Sequence, residues 1–135
     1  MSHRKIVRNA DVMTKKFVMV DGLDTVADAI ELASSQDVRV LLVNKRNEDD
    51  EFGMVLMSDI AKKVLAKDKA PERVNIYEIM IKPVLSVSPE MDVRYCARLF
   101  ERFRITKAPV IEAGKILGLV SYHDLVLKGM MAEKQ

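Results

Sequence analysis

The stretch Gly118-Leu119-Val120-Ser121-Tyr122-His123-Asp124 decides the fold, because it has a counterpart in the first half of the chain. Residues 53–59, Gly-Met-Val-Leu-Met-Ser-Asp, share its glycine, its central valine and its final aspartate at the same spacing. In both stretches a short apolar run is followed by polar residues of the kind that begin helices. Each stretch therefore predicts a buried strand that passes directly into a helix.

The similarity between the two halves extends over most of the chain. A shift of 67 positions places Val12-Met13 on Ile79-Met80, and beyond a longer polar loop in the first half the shift becomes 65. A two-residue length difference is the kind of change that a surface turn tolerates. The sequence therefore predicts two repeats, residues 9–66 and 76–132, joined by a linker at 67–75.

Within each repeat the apolar periodicity changes in the same order. A short β-prone run is followed by a segment with apolar residues at i, i+3, i+4 and i+7, the spacing of one helix face. Two apolar runs separated by a turn then predict a hairpin, and a final helix follows. Each repeat is predicted to fold as β-α-β-β-α, which makes the protein an α/β protein. The predicted strands are 17–20, 38–43 and 53–57 in the first repeat and 84–87, 105–111 and 118–121 in the second.

The helical spacing also predicts which side chains are buried. On the first helix of each repeat we expect buried faces formed by Val26, Ala29, Ile30 and Ala33, and by Val93, Cys96, Ala97 and Phe100. The final helices begin at Ser58-Asp59 and His123-Asp124, and their expected buried residues are Ile60, Val64 and Leu65, and Leu125, Val126 and Met130.

Composition narrows the functional classes. The 135 residues include 22 Lys+Arg and 20 Asp+Glu, so the net charge of +2 does not indicate nucleic-acid binding. No apolar run approaches the about 18 residues that span a bilayer, so we expect no membrane segment and a cytoplasmic protein. A single cysteine and two distant histidines predict neither an internal disulfide nor a metal site. No nucleophile with a base beside it and no acid–base pair is recognisable, so we expect no enzyme.

The residues Ser121 and Asp124 are the strongest candidates for binding chemistry. A hydroxyl at a strand end, the free N–H groups of a starting helix and its positive dipole end converge there, which suits a phosphate. The Asp124 carboxylate instead suits a ribose, because it accepts hydrogen bonds from two neighbouring hydroxyls. Ser and Asp at a helix start are also ordinary capping residues, and this alternative stays open.

The chain resembles the cystathionine-β-synthase (CBS) domain in its Val12-Met13 and Ile79-Met80 openings, its Ala108-Pro109-Val110 strand entry and its two Gly-to-Asp endings. Their order and duplication resemble the tandem pair called a Bateman module, over nearly the whole chain. The resemblance implies two repeats packed about a pseudo-two-fold axis, with adenosine-containing ligands in clefts between them. It also implies a regulatory role without catalysis.

The resemblance assigns further roles by position. It implies Asp124 on the ribose and Ser121 near the phosphate, and His123 is either a phosphate contact or a solvent-facing helix-start residue. Arg39 and Lys107, with Thr106, stand where the similar gamma subunit of AMP-activated protein kinase carries phosphate-binding residues, although a solvated strand-edge charge is the alternative for both basic residues. The segments that resemble the adenine slot contain Ile81, Lys82, Pro83 and Pro109.

The first repeat departs from this pattern at one position. Leu56 occupies the place of Ser121 and offers no hydrogen bond, whereas Asp59 is retained. We therefore expect the stronger site to use Asp124, and a second, weaker site to use Asp59 and Ser58.

The expected function is that of a stand-alone regulatory module. It binds AMP, ADP or ATP, with S-adenosylmethionine as a further possibility, uses no other cofactor, and signals to a protein partner that the sequence does not identify. We expect a homodimer, because each two-helix layer exposes an apolar stripe and similar modules pair through such helices. The alternative is an interaction or dimerisation scaffold that needs no ligand.

Overall fold

The structure, a computed structural model, describes residues 5–133. In chain order its helices are α1 (Asn9–Val12), α2 (Val26–Gln36), α3 (Met57–Ile60), α4 (Val93–Phe103) and α5 (Met131–Glu133). Its strands are β1 (Val18–Val20), β2 (Val40–Val43), β3 (Gly53–Leu56), β4 (Lys107–Glu112) and β5 (Lys115–Ser121). Segments Ala61–Leu65 and Asp124–Met130 are π-helical, and Pro71–Arg73 and Ile76–Glu78 form short 3-10 turns. No helix in residues 5–133 is long and apolar enough to cross a membrane.

The chain packs into two compact units. The first-repeat unit is Phe17–Val84, and the second-repeat unit combines residues 5–16 with residues 85–133. The boundaries of these units differ from those of the sequence repeats. The opening segment of the first repeat packs in the second-repeat unit, and the linker and the opening of the second repeat pack in the first-repeat unit.

The sheet of the first-repeat unit has the strand order β1-β2-β3. β1 runs parallel to β2, with Val20 beside Val43, and β3 runs antiparallel to β2. Beyond β3, Met54 and Ile81 exchange two backbone hydrogen bonds of 3.0 and 2.8 Å. The opening of the second repeat therefore completes the sheet of the first-repeat unit.

The second-repeat unit has the same arrangement. β4 and β5 form an antiparallel hairpin, Val87 lies parallel to Val110 on β4, and Thr14 pairs with Leu119 on β5. The two Thr14–Leu119 backbone hydrogen bonds are 2.8 and 2.9 Å long. In each unit the opening segment of the other repeat thus completes the sheet. The predicted α/β class is confirmed.

The predicted strand at 84–87 is reduced to a single bridge at Val87. The Val87 N–H donates to the Pro109 carbonyl, and the Ile111 N–H donates to the Val87 carbonyl, each at 3.0 Å. The next bond of a parallel ladder would come from the N–H of residue 109, which proline lacks. The ladder therefore cannot extend toward Leu85. The other predicted strands are present, with ends shifted by a few residues.

The first helix of each repeat buries most of its predicted face. Buried residues are Val26, Ala29 and Ala33 on α2 and Val93, Cys96 and Phe100 on α4. The prediction for Ile30 was wrong, since this side chain is 39% exposed. Ala97 is half-buried.

The final helices contain π-helical turns, and their buried faces are narrower than predicted. Ile60, Val64 and Leu125 are buried as predicted, whereas Leu65, Val126 and Met130 are 77%, 50% and 60% exposed. Leu65, Val126 and Met130 each directly follow a buried residue, namely Val64, Leu125 and Gly129. Consecutive side chains on a helix point about 100° apart, so these three lie beside the buried face. The helices therefore expose apolar residues that the spacing assigned to the core.

We expect Gly118→Ala to destabilise the protein, because a Cβ at residue 118 would lie 2.6 Å from the Thr14 carbonyl oxygen. Relieving this backbone clash displaces the opening segment from β5 and costs about 1–3 kcal/mol. Urea denaturation followed by circular dichroism measures the loss.

The matched control for this substitution is Gly22→Ala. A Cβ at residue 22 meets Tyr77 at 3.4 Å, an ordinary contact, and should change stability by less than about 0.5 kcal/mol. Equal stability of the two variants would contradict the close approach of the opening segment to β5.

Candidate functional site

The strongest candidate site lies where β5 ends and the final helix of the second-repeat unit begins. The Asp124 Oδ2 atom accepts hydrogen bonds from the Ser121 N–H and the Ser121 hydroxyl, both at 3.0 Å. The Asp124 N–H in turn donates to Ser121 Oγ at 3.2 Å. These contacts are those of a helix cap, the alternative that the sequence left open for these residues. A role in ribose binding stays a prediction.

A lysine that the sequence analysis missed completes this cluster. Lys128 Nζ lies 3.2 Å from Asp124 Oδ1, and it donates to the Val12 carbonyl at 3.3 Å. The Asp124 side chain is only 8% exposed, whereas the Lys128 side chain is 51% exposed. Lys128 therefore connects the buried carboxylate to the carboxyl end of α1, in the opening segment.

The first-repeat unit carries the same cluster without the hydroxyl. Asp59 Oδ2 accepts from the Leu56 N–H at 2.9 Å, and Asp59 Oδ1 lies 4.0 Å from Lys63 Nζ. Lys63 donates to the Ile79 carbonyl at 3.1 Å. Because both lysines follow their aspartates by four residues, this repeated spacing is the signal that identifies them in the sequence.

Three other predicted residues lie at or near the Ser121 end of the hairpin. Lys107 pairs with Ser121 across β4 and β5, and the Thr106 carbonyl accepts from the Tyr122 N–H at 3.2 Å. Pro109 lies further along β4, opposite Leu119. The structure therefore places Thr106 and Lys107 beside Ser121, with Thr106 exposed and Lys107 half-buried.

Two residues at the helix starts face solvent. His123 is exposed and helical, directly before Asp124, as the helix-start alternative describes. Ser58 is exposed on α3, and no hydrogen bond of its side chain is recorded among residues 5–133. Both stay predictions as ligand contacts.

The remaining predicted residues belong to the first-repeat unit. Arg39 is exposed and stands in a bend before β2, so its predicted place inside the strand was wrong. Its neighbour Val40 pairs with Leu56, which puts Arg39 at the Asp59 end of the sheet. Ile81 is 38% exposed, and Pro83 is exposed after a cis peptide bond from Lys82.

Lys82 is held by a carboxylate that the sequence analysis did not consider. Its Nζ lies 2.6 and 2.8 Å from the two carboxylate oxygens of Asp50. Arg46 contacts the same carboxylate through its backbone N–H at 2.8 Å and its Nε at 3.0 Å. The Arg46 and Lys82 hydrogen bonds hold the pKa of Asp50 far below its ordinary range, so it is ionised at any physiological pH.

This ion cluster borders a cavity of about 870 Å³ in the first-repeat unit. The cavity lies beyond the carboxyl ends of the parallel strands β1 and β2. Its lining includes Asp21, Leu23, Asn44, Arg46, Tyr77 and Lys82. The structure therefore places Lys82 at a cavity wall, and its role in an adenine slot stays a prediction.

Cys96 has no features of a nucleophile. It is fully buried on α4, and burial raises the pKa of its thiol to about 11, while a hydrogen bond with the Asn9 side chain acts in the opposite direction. The thiol is therefore protonated at neutral pH. Within residues 5–133 no three His, Cys, Asp or Glu side chains are grouped so as to hold a metal ion.

Comparison with known proteins identifies the family. The CBS domain profile matches residues 10–66 and 76–129. The chain therefore belongs to the CBS domain family and carries two copies of the domain in tandem.

Individual relatives agree with this assignment. The hexameric CBS-CP12 protein from bloom-forming cyanobacteria has a TM-score of 0.90 at 40% identity, over 96% of this chain and 75% of its own. The mitochondrial CBS domain-containing protein CBSX3 of Arabidopsis thaliana is 28% identical over 127 residues, 87% of this chain and 62% of the relative. The CBS domain pair of protein MJ0100, in complex with 5′-methylthioadenosine and S-adenosyl-L-methionine, has a TM-score of 0.78 over 97% of this chain and all of its own. Its 21% identity shows the fold alone.

The chain spans between 44% and 62% of the length of three curated relatives that it matches.

We expect the Cys96 thiol to react with Ellman's reagent at pH 8 at least about 100-fold more slowly in the folded protein than in urea, since the fully buried side chain also blocks the reagent. The factor follows from a pKa of about 11 in place of the ordinary 9.0, since only the thiolate reacts. As Cys96 is the only cysteine, the absorbance reports this site alone. Equal rates in both states would contradict its burial.

The same pKa predicts a pH dependence of stability. The folded state binds the thiol proton more tightly, so this contribution is complete below pH 9 and is lost as the pH rises through about 11. Cys96→Ala is the control, because the first repeat has Ala29 at this position. The fall in stability between pH 9 and 11 should be smaller in the variant, and an identical fall would contradict the prediction.

Proposed function

We propose that this chain is a regulatory CBS pair that binds an adenosine-containing ligand at the Ser121–Asp124 end of the second-repeat unit and signals to a protein partner. The observation that carries the proposal is the presence of a hydroxyl, a carboxylate and two flanking polar residues at one strand end. Ser121, Asp124, Thr106 and Lys107 meet there within one compact unit.

The hydrogen-bonding capacity of Asp124 supports a ribose contact. An ionised carboxylate offers about four acceptor positions, and three contacts to Ser121 and Lys128 are recorded. The Lys128 contact involves a half-exposed side chain, so a ligand hydroxyl can replace it at little cost. Ribose binding therefore requires no change in the Ser121 cap.

The phosphate contacts proposed for this site come from Ser121, Lys107 and the exposed Thr106. Lys107 contributes the positive charge, because it stands opposite Ser121 in the hairpin. His123 is exposed at the start of the adjoining helix and is available to a longer phosphate chain. We propose AMP, ADP or ATP as the ligand. S-adenosylmethionine is the other candidate, since the CBS pair of MJ0100, which has this fold, was solved with that compound.

A weaker second site is proposed at Asp59, with Ser58 and Arg39 at the same end of the first-repeat unit. The half-buried Leu56 replaces the hydroxyl there, and the Asp59–Lys63 separation of 4.0 Å is longer than its counterpart. Fewer polar groups are thus available for a phosphate, and we expect lower affinity.

The second candidate function, a self-association scaffold, is supported by an exposed apolar face. Val126, Leu127, Met130 and Met131 are each between 50% and 60% exposed on the final helix. Their spacing of i, i+1, i+4 and i+5 places them on one side of the helix. Since the CBS-CP12 protein is hexameric, we propose that this chain forms a homodimer through this face.

A thermal-shift panel of AMP, ADP, ATP and S-adenosylmethionine tests ligand binding. A ligand at 100 times its dissociation constant stabilises the folded state by about 2.7 kcal/mol. Stabilisation by at least one compound is expected. No stabilisation by any of them would favour the scaffold function.

We expect Asp124→Asn to weaken binding of the stabilising ligand by about 1.5–3 kcal/mol in calorimetric titration. The substitution removes the negatively charged carboxylate that accepts hydrogen bonds from the ribose hydroxyls. Asparagine keeps one acceptor oxygen for the Ser121 cap, so folding is less affected than in Asp124→Ala. The matched control is Asp59→Asn, which should change affinity far less. Equal losses, or a loss confined to Asp59→Asn, would reverse the assignment of the two sites.

Self-association is tested separately with Leu127→Glu, a substitution at a side chain that is 54% exposed. Light scattering should show a dimer for the unmodified protein and a monomer for the variant, because a buried charge without a partner opposes association. The control is Leu65→Glu, at a side chain 77% exposed in the first-repeat unit. An unmodified protein that is monomeric at tens of micromolar would exclude the dimer.

A further inference from the structure

The Asp50 carboxylate has the surroundings of a bound anion. One backbone N–H and one guanidinium from Arg46, together with the Lys82 ammonium, converge on its two oxygens. The side chain is only 7% exposed, although it belongs to a polar surface loop. An internal carboxylate is thus held by three donors of the kind that bind phosphates and carboxylates in ligand sites.

The cavity next to this cluster has the size of a small-molecule site. Its volume of about 870 Å³ lies within the range of about 300–1,000 Å³ typical of ligand pockets. Leu23, Met80 and Tyr77 supply an apolar and aromatic wall, and Arg46 and Lys82 supply the charged end. It also lies beyond the carboxyl ends of two parallel strands, where α/β sheets commonly bind ligands.

The acidic residues of the cavity are already engaged in its wall. The Asp24 Oδ2 atom accepts from the Asp21 N–H, and Asp21 Oδ1 accepts from Asn44 Nδ2, each at 2.9 Å. These bonds join the turn after β1 to the residue that follows β2. The two carboxylates therefore shape the cavity, and the cationic end at Arg46 and Lys82 is left to bind an anion.

We propose that Arg46 and Lys82 form a binding site for an organic phosphate in the first-repeat unit, and that Asp50 occupies the phosphate position as an internal plug. Without Asp50 the lining carries three cations, Lys45, Arg46 and Lys82, and two carboxylates, Asp21 and Asp24. Its net charge is therefore positive, which favours an anion in the place of the Asp50 carboxylate. The phosphate therefore exchanges with the Asp50 carboxylate, and the organic group enters the cavity beside Tyr77. When phosphate replaces the Asp50 carboxylate, residues 47–51 are released from Lys82 and Arg46, while Arg46 remains bound to the phosphate.

This site is separate from the proposed adenosine site. It lies within Phe17–Val84, whereas Ser121 and Asp124 belong to the other unit. Asp50 lies in the loop that is two residues longer in the first repeat, and the second repeat turns tightly at Ala113-Gly114 instead. The plug therefore has no counterpart in the second repeat.

The test is calorimetric titration with phenyl phosphate and with inorganic phosphate, neither of which contains adenosine. Asp50→Asn should bind phenyl phosphate about tenfold more tightly than the unmodified protein, because the competing charge is removed. Phenyl phosphate should bind more tightly than inorganic phosphate, since only the former fills the apolar part of the cavity. Equal affinities for the two probes would overturn the role of the cavity.

The matched control is Asp49→Asn, which removes the same charge from an exposed neighbour in the same loop. It should leave the affinity for phenyl phosphate unchanged. If Asp49→Asn binds phenyl phosphate as much more tightly as Asp50→Asn does, net charge alone explains the effect and the proposal is overturned. Asp50→Glu keeps the negative charge of the plug, so its affinity for phenyl phosphate should be close to that of the unmodified protein. The double variant Asp50→Asn with Lys82→Gln should lose the gain, and retention of the gain would exclude Lys82 from the site.

Hydrogen exchange measures the release of the loop. Saturating phenyl phosphate should speed amide exchange in residues 47–51 of the unmodified protein, and Asp50→Asn should show fast exchange without ligand. If amide exchange in residues 47–51 is unchanged or slower when phenyl phosphate binds, the replacement of the Asp50 carboxylate by phosphate is contradicted. Asp124→Asn should leave these results unaltered, so failure of the adenosine site and failure of this site are distinguishable.

Discussion

The structure depends on two short antiparallel backbone contacts. Thr14 pairs with Leu119 in one unit, and Ile81 pairs with Met54 in the other, each through two hydrogen bonds. Gly118 allows the first of these, since any side chain there would meet the Thr14 carbonyl. Because each opening segment completes the sheet built by the other repeat, neither repeat holds a complete sheet within its own sequence.

The Asp–Lys pairs reinforce the same contacts. Lys128 reaches the Val12 carbonyl and Lys63 reaches the Ile79 carbonyl, so each final helix is joined to an opening segment. The proposed ribose carboxylate, Asp124, holds the same lysine. In the proposed function a ligand hydroxyl competes with Lys128 for this carboxylate, which gives the bound ligand an effect on α1.

The two repeats have diverged where binding chemistry is concentrated. The second repeat keeps the hydroxyl at Ser121, and the first replaces it with Leu56. The first repeat instead has the longer loop that brings Asp50 onto Lys82. Duplication therefore conserved the backbone pairing and the aspartate caps, while the polar groups around them changed. One unit carries the candidate adenosine site, and the other carries the anion site proposed at Arg46 and Lys82.

The sequence by itself determined the duplication, the α/β class and most of the core, because apolar spacing and repeated endings are local patterns. It also identified the Ser121–Asp124 pair, whose residues are three apart. The sequence did not predict the exchange of opening segments, the exposure of Leu65 and Val126 on the final helices, or the Asp50–Lys82 contact. Only the tertiary structure decided these features, because each depends on backbone pairing or charge contact between residues distant in the chain, or on which side of a helix packs against the rest of its unit.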